Sequence, residues 1–484
     1  MNASIRPVVF VIGTLIVVLS AAMIVPFLLD LHDGRTESAQ AFLSTGFIGI
    51  VAGSVMAMAS RGDNSNLSVR AGFILTAGSW AVLALWAAIP MRYSGIGLDW
   101  TDAIFESMSG LTTTGATVIT GLDTQPRGLL MWRAILQWIG GIGIIVTAMA
   151  VWPLLGVGGM QLFRLESSDN SEKILPRAAQ IAAAIAALYL GLTVICALCY
   201  SAVGLSAFDS IAHAMTTIAT GGFSTRDASI GAFLDQGGDL VALVFMIVAA
   251  LPFVAWLVAL RGRPSALWND PQVRGFLTLV VVATLVLTVL LMATGVHGNE
   301  SSWRFAAVNT VSVITGTGYA TADFNAWGPI AQASLFALMF AGGCAGSTTC
   351  SVKIFRYQIA ILAIRRHLVS LVHPNAITPM RYGNQVVSQQ TVYSVLGFLF
   401  AFILIFIVSA IILNAMGLDT VTALSGAATS LANVGPGLGP MIGPAGTFQP
   451  LPDPAKWVMT ANMLIGRLEV ITVLVFLTPR FWKG

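Results

Sequence analysis

Four short stretches of this 484-residue chain share one pattern of glycine and hydroxyl residues. They read Ser109-Gly-Leu-Thr-Thr-Thr-Gly115-Ala-Thr117, Thr216-Thr-Ile-Ala-Thr-Gly-Gly222-Phe-Ser-Thr225, Ser312-Val-Ile-Thr-Gly-Thr-Gly318-Tyr-Ala-Thr321 and Thr429-Ser-Leu-Ala-Asn-Val-Gly435-Pro-Gly437. With Gly115, Gly222, Gly318 and Gly435 in one column, the position six residues earlier holds Ser109, Thr216, Ser312 and Thr429, a hydroxyl each time. Thirteen residues earlier, Asp102 aligns with Asp209, while Phe305 and Thr422 depart. Glycine permits positive φ and close backbone approach. Four such strips around one axis would offer rings of oxygens able to replace the hydration shell of an alkali cation. The bland alternative is four glycine-rich turns between helices. A shared register that needs no gaps, recurring at roughly a hundred residues, is instead the mark of an internal repeat.

Such strips must be held by something, and the composition says what. Charged residues make up 9% of the chain and hydrophobic residues 56%. A soluble domain carries about 25% charged residues, so the chain reads as a polytopic membrane protein with no soluble domain of useful size. No Lys/Arg run interleaved with aromatics suggests nucleic acid. The apolar run after Arg6 has the length of a full membrane span and no convincing cleavage site beyond it. It is expected to be a retained first helix, followed by a second over about 41–60. Each repeat then reads as helix, short re-entrant helix, strip, helix. The short segments, 100–112, 207–219, 303–314 and 420–432, cannot span, and non-helical backbone at membrane depth is tolerated only beside a water-filled path or inside protein. The expectation is an all-α protein of ten transmembrane helices, four helix–pore loop–helix repeats plus two N-terminal helices. The divisions are 1–70, 71–163, 164–268, 269–385 and 386–484.

Lys and Arg placement sets orientation. With the N-terminus in the cytoplasm, sixteen basic residues fall inside and six outside, and Arg133 and Arg467 lie within helices. All four strips then face outward. Asp102, Asp209, Asp227, Asp323 and Asp419 lie near them and would concentrate cations at the mouth. Asp102, Asp209 and Asp419 also stand where pore helices begin and can cap them.

Two further features interrupt spanning segments. In the third repeat Phe340-Ala-Gly-Gly-Cys-Ala-Gly-Ser-Thr-Thr-Cys350 breaks a helix at mid-membrane depth, which reads as a flexible gate under the strips, or else as a close-packing kink. A basic stretch comes next, Lys353, Arg356, Arg365 and Arg366, and would face the cytoplasm, where a partner could pull on it. Arg467, in the last span, is a costly intramembrane cation and reads as an electrostatic barrier, or else as an arginine reaching to the inner surface. Glu469 is two residues on and does not share its helix face. Cys196-Ala-Leu-Cys199 has no ligand beside it, and His213, His367 and His373 lack metal-ligand spacing.

The strips, the Gly342-Gly-Cys-Ala-Gly-Ser347 run and Gly466-Arg-Leu-Glu469 together resemble the Trk/Ktr/HKT superfamily of potassium and sodium uptake proteins, and the length and two extra helices are most similar to its bacterial TrkH branch. The likeness covers essentially the whole chain. It implies a pseudo-fourfold pore made by one polypeptide, a homodimer in the bacterial inner membrane, and control by a cytoplasmic ring of nucleotide-binding subunits, TrkA in that branch. It implies that K⁺ is held at Thr113, Thr114 and Gly115; Thr220, Gly221 and Gly222; Gly316, Thr317 and Gly318; and Asn433, Val434 and Gly435. It implies a gating loop of Gly342, Gly343, Cys344, Ala345, Gly346, Ser347, Thr348, Thr349 and Cys350, with the intramembrane Arg467. No covalent cofactor is expected, and nucleotide belongs to the partner alone. Relatives often continue the loop Ser-Thr-Gly-Gly-Gly-Ile-Lys; here it is Ser347-Thr-Thr-Cys-Ser-Val-Lys353, which should be stiffer. In plant relatives a serine at the first-strip glycine marks sodium preference, so Gly115 favours potassium over a sodium-preferring or poorly selective pore. A membrane hydrolase built on Ser347 is the reading from another class. It lacks a histidine in a spanning segment opposite that serine.

Overall fold

The computed structural model describes residues 5–62, 68–150, 174–296, 298–375, 379–383 and 385–483. Helices Arg6–Ala22 and Ile24–His32 run nearly end to end as one crossing, and Thr36–Ala59 returns beside them. Small residues let these two backbones meet: a methyl on Gly13 would lie 2.8 Å from the Gly53 carbonyl oxygen, the close approach typical of membrane helix pairs. The pair is tied to the first repeat by Asp30, whose carboxylate accepts from the Gly128 backbone N–H at 2.6 Å. Asp33 accepts from the Arg127 guanidinium, which holds its carboxyl below the usual carboxylate range.

Beyond this pair stand four repeats. The first runs Val69–Arg92, pore helix Trp100–Leu111, strip, Arg127–Ala150. The second runs Ile174–Ala202, pore helix Ala207–Ile218, strip, then Gly238–Ala249 and Phe253–Leu260. The third has Pro271–Thr294, pore helix Asn299–Thr315, strip, Pro329–Leu338, an irregular loop and Ile354–Val372. The fourth has Gln389–Ala415, pore helix Thr420–Ala432, strip, Asp453–Arg467 and Val470–Leu474. The expected boundary at 163/164, with Arg164 and Lys173, lies outside the described residues.

The expected crossings are present among the described residues, three of them broken. Seven helices are long and apolar enough to cross a membrane, nine if each of two sharply bent pairs is one crossing. The second helix of repeat two bends by 91° between Ala249 and Phe253, and that of repeat four by 112° between Arg467 and Val470. Pro252 supplies no N–H to continue the first of these helices. At the second break Glu469 sits at φ 65°, outside the helical region. The tenth segment, in repeat three, is the one interrupted by the loop.

The outer faces are apolar, and a polar zone lies inside the apolar core. Val281, Val282, Leu285, Val286 and Val289 are exposed along one face of Pro271–Thr294, and Phe400, Ile403, Ile407 and Ile411 along Gln389–Ala415. These faces suit lipid. Thr113, Thr220, Thr317, Ser109, Ser312, Thr429 and Asn433 are buried where pore helices and strips converge. Buried hydroxyls and amides need hydrogen-bond partners; Ser109, Ser312 and Thr429 find theirs in the strips, while Thr113, Thr220 and Asn433 also reach the neighbouring loop and last helix.

Candidate functional site

The pore helices start on caps. Asp99, not Asp102, caps the first, accepting from Asp102 N at 2.7 Å; Ser206, not Asp209, caps the second, accepting from Asp209 N at 3.1 Å. Asp102 and Asp209 instead occupy the first turn, where a carboxylate complements the helix dipole. Asp419 caps the fourth helix as expected, accepting from Val421 N and Thr422 N at 3.0 and 3.1 Å.

The helices end alike. The residue just before each aligned glycine donates its N–H to the carbonyl of the hydroxyl-bearing residue six before that glycine: Thr114 to Ser109, Gly221 to Thr216, Thr317 to Ser312, Val434 to Thr429, at 2.8, 2.8, 2.9 and 3.0 Å. The residue between helix and bond, Thr113, Thr220, Gly316 or Asn433, is left-handed, with φ of 52°, 50°, 68° and 53°. This is a Schellman stop, for which Gly and Asn are suited. Threonine is not, and a left-handed β-branched residue costs ~1–2 kcal/mol. The hydroxyl column now has a reason. Ser109 Oγ donates to Ala116 O at 2.6 Å, Ser312 Oγ to Tyr319 O at 2.7 Å, and Thr429 Oγ1 to Gly435 O at 3.0 Å, each pinning the strip next to it. Thr216 departs and pairs with the Tyr319 hydroxyl of the third strip.

The glycines close the strips on one another. Gly115, Gly222, Gly318 and Gly435 all have positive φ. A methyl on Gly115 would lie 2.3 Å from Gly221 O, on Gly222 1.7 Å from Thr317 O, on Gly318 2.2 Å from Val434 O, and on Gly435 2.9 Å from Thr114 O. Strip one therefore abuts strip two, two abuts three, three abuts four, and four abuts one, with a backbone carbonyl at every seam. A cavity of about 290 Å³ touches all four glycines and carries Asp227 on its wall. Two of the five expected mouth carboxylates carry a cationic partner: Asp102 pairs with Lys456 at 2.5 Å and Asp209 with Arg226 at 3.1 Å. The negative potential there is correspondingly smaller than the residue types alone suggest.

On the other side of the ring lies the loop. Thr113 Oγ1 is 3.5 Å from Cys350 Sγ, and Thr220 Oγ1 donates to Thr348 Oγ1 at 3.3 Å. The Arg467 guanidinium donates to Thr348 O and to Gly140 O, both at 3.2 Å, and to Cys350 Sγ. It is 3% exposed, the geometry of a bracket rather than of a chain reaching for an aqueous surface. The space enclosed by the loop, Lys353, Gly466 and Arg467 is about 20 Å³, room for about one water.

The loop is far from loosely held. Cys344 N donates to Ala250 O at 3.1 Å, Phe253 N to Gly346 O at 3.0 Å, and Ala345 N to Gln272 Oε1 at 2.7 Å. Its carbonyls and amides thus use the groups freed where the second repeat's helix bends. The basic stretch also splits. Lys353 is buried and donates to the Thr349 carbonyl and hydroxyl, and Arg356 is buried against Glu469. Arg365 and Arg366 are exposed. Glu469 thus serves a partner more than a hundred residues away, not Arg467.

Sequence reasoning left Glu106 and Gln137 without a role. Glu106 pairs with Arg133 at 2.7 Å in full burial, and Gln137 brackets the second strip, donating to Gly221 O at 2.6 Å and accepting from Phe223 N at 3.0 Å. Glu106 could have been found by extending the column: nine residues before the strip glycine stand Glu106, His213, Asn309 and Gly426, three of them polar.

Residues 38–483 match the TrkH family, described as cation transport protein. The Trk system potassium uptake protein TrkI of Halomonas elongata is 43% identical over 478 residues, covering 99% of this chain and 97% of that one. The Trk system potassium uptake protein TrkH of Escherichia coli K12 is 39% identical, covering 99% of both. The crystal structure of the potassium transporter TrkH from Vibrio parahaemolyticus superposes with a TM-score of 0.91 at 36% identity, covering all of both chains. Family profile, full-length relatives and fold agree, and this chain belongs to the TrkH family of cation transport proteins.

Proposed function

We propose that the chain takes up potassium through the ring formed by Thr113–Gly115, Thr220–Gly222, Gly316–Gly318 and Asn433–Gly435, one strip from each repeat. The closure of the four seams in chain order, a carbonyl at each, carries this reading. Backbone oxygens arranged in rings are the chemistry that substitutes for an alkali ion's hydration shell. The relatives' names as potassium uptake proteins support the choice of ion. Residues Gly342–Cys350 act as the gate, with Arg467 fastening the loop and placing a positive charge in the path. A cytoplasmic nucleotide-binding subunit of the TrkA type acts on it, and the exposed Arg365 and Arg366 suit its docking. The chain works as a homodimer in the bacterial inner membrane with its N-terminus in the cytoplasm; crosslinking in native membranes checks the dimer. The deciding measurement is flux of K⁺, Rb⁺ and Na⁺ into liposomes holding the purified protein. K⁺ and Rb⁺ should enter well ahead of Na⁺, and equal rates would mean a poorly selective pore.

Arg467→Ala tests the fastening. Removing the charge and the Thr348 tie should raise K⁺ flux roughly tenfold, the effect of ~1.4 kcal/mol on a barrier. A fall in flux at normal abundance would contradict the barrier role.

A further inference from the structure

The pore-helix position nine residues before each filter glycine does the same job in three repeats with three chemistries. Glu106 accepts from Thr117 Oγ1 at 2.9 Å and from Val118 N at 2.9 Å, two and three residues past Gly115. His213 Nε2 meets Ser224 Oγ at 3.0 Å, two past Gly222. Asn309 donates to Thr321 Oγ1 at 2.6 Å and accepts from Thr321 N at 3.3 Å, three past Gly318. The fourth repeat has Gly426, where a side chain would strike the Met459 methyl at 2.4 Å. Each polar member therefore reaches past the ring and holds the outer limb of its own strip.

We propose that Glu106, His213 and Asn309 are positioning residues for ion discrimination, and that the Glu106–Arg133 pair is the dominant member because it ties the first strip to the second. Arg133 spends its whole fork on this. Nε donates to Glu106 Oε1 at 2.7 Å, one terminal nitrogen to Thr117 Oγ1 at 3.2 Å, and the other to Ser224 O at 2.8 Å, while the guanidinium lies 4.0 Å from the Phe223 ring centre. Lysine has no planar fork and cannot make this set. Arg133 is 1% exposed and Glu106 fully buried. A buried ion pair is weak evidence of stability, because desolvation opposes the attraction; what this pair supplies is placement, one planar guanidinium joining Glu106, Thr117 and Ser224. Discrimination by a ring of carbonyls depends on cavity size and on the field of its dipoles, and both change if strips one and two shift relative to one another. The pair is neutral as a unit, so its contribution is placement of backbone rather than attraction of cations.

This inference rests on the ring being the filter, and the experiment separates the two. Flux of K⁺ and Na⁺ is measured in liposomes for the parent, Glu106→Gln, Arg133→Lys and Gly115→Ser. Bracing predicts that Glu106→Gln and Arg133→Lys both lower the K⁺/Na⁺ ratio by about tenfold, the factor given by 1.4 kcal/mol. A purely electrostatic role predicts that Glu106→Gln lowers flux of both ions alike while Arg133→Lys changes nothing, and that result would overturn the proposal. Unchanged ratios in both variants, with the ratio altered in Gly115→Ser, also overturn it and leave the filter standing. Unchanged ratios in all three remove the filter reading and the brace together. If Glu106→Gln does not accumulate, Arg133→Lys and Asn309→Ala, which leave no charge unpaired, are read by the same ratio. Asp239→Asn breaks another ion pair, with the partly exposed Arg304, and should leave the ratio as in the parent.

Discussion

Alanine at the four filter-column glycines should erode potassium discrimination in the order Gly222, then Gly318 and Gly115, then Gly435. The order comes from the distance between the added methyl and the next strip's carbonyl oxygen: 1.7 Å, 2.2 and 2.3 Å, and 2.9 Å. Carbon and oxygen approach no closer than about 3.3 Å even in weak hydrogen bonds. At Gly222 the Thr317 carbonyl must therefore be pushed from the seam, and the φ of 77° there already disfavours any side chain. Loss of one well-placed carbonyl, with its neighbours displaced, should cut the K⁺/Na⁺ flux ratio by about a hundredfold, the equivalent of ~2.7 kcal/mol. At Gly435 the methyl meets the Thr114 carbonyl at 2.9 Å, the mildest clash of the four, but a φ of 111° strains any side chain there, so Gly435→Ala should still cost about tenfold on the same scale. The readout is the flux ratio in liposomes, normalised to incorporated protein. Equal ratios across the four variants would separate discrimination from the seams. Gly115→Ser belongs to the same series and should let Na⁺ compete.

What could be read from the sequence was whatever repeated. The left-handed stops at Gly316 and Asn433, the hydroxyls at Ser109, Ser312 and Thr429, and the glycine column all stand in one register. The physical demand is the same four times: end a helix, reverse the backbone and hold it. Long-range partnership was not legible. Nothing near Glu106 announces Arg133, and nothing near Arg356 announces Glu469, because each pair meets only when helices from distant parts of the chain pack. For the same reason Lys353 and Arg356 read as cytoplasmic charges, although both are buried beneath the ring. Pro252 stands at the bend after Ala249, in a segment expected as a single helix. The one at Glu469 has no proline, only Gly466 just before Arg467. Both bends sit beside the third repeat's loop: one lends it carbonyls from Ala249 and Ala250, and the other comes directly after Arg467.

Deleting Ala345–Thr349 should give a pore that conducts about tenfold faster and no longer depends on its cytoplasmic partner, a change of ~1.4 kcal/mol in the barrier. In the described arrangement Thr348 and Cys350 meet the strained residues Thr220 and Thr113 at the base of the ring, and Arg467 holds Thr348 from the side. The remaining space of about 20 Å³ is too small for a hydrated ion, so under the proposed path the loop must move for an ion to pass. The hydrogen bonds to Ala249, Ala250, Phe253 and Gln272 mean that it does not move by fluctuating freely. It must exchange one set of partners for another, a discrete step of the kind that small shifts trigger in packed interiors. A partner can drive that step only by favouring one arrangement over the other. The helix Ile354–Val372 offers the route: its first residue donates to Gly343 O at 3.2 Å, while Arg365 and Arg366 lie exposed further along it. Flux should be compared in liposomes with and without the regulatory subunit, for parent and deletion alike. A deletion protein that accumulates normally, conducts no faster and still needs the subunit would place the gate elsewhere, with Arg467 and the bend at Glu469 the next segment to test.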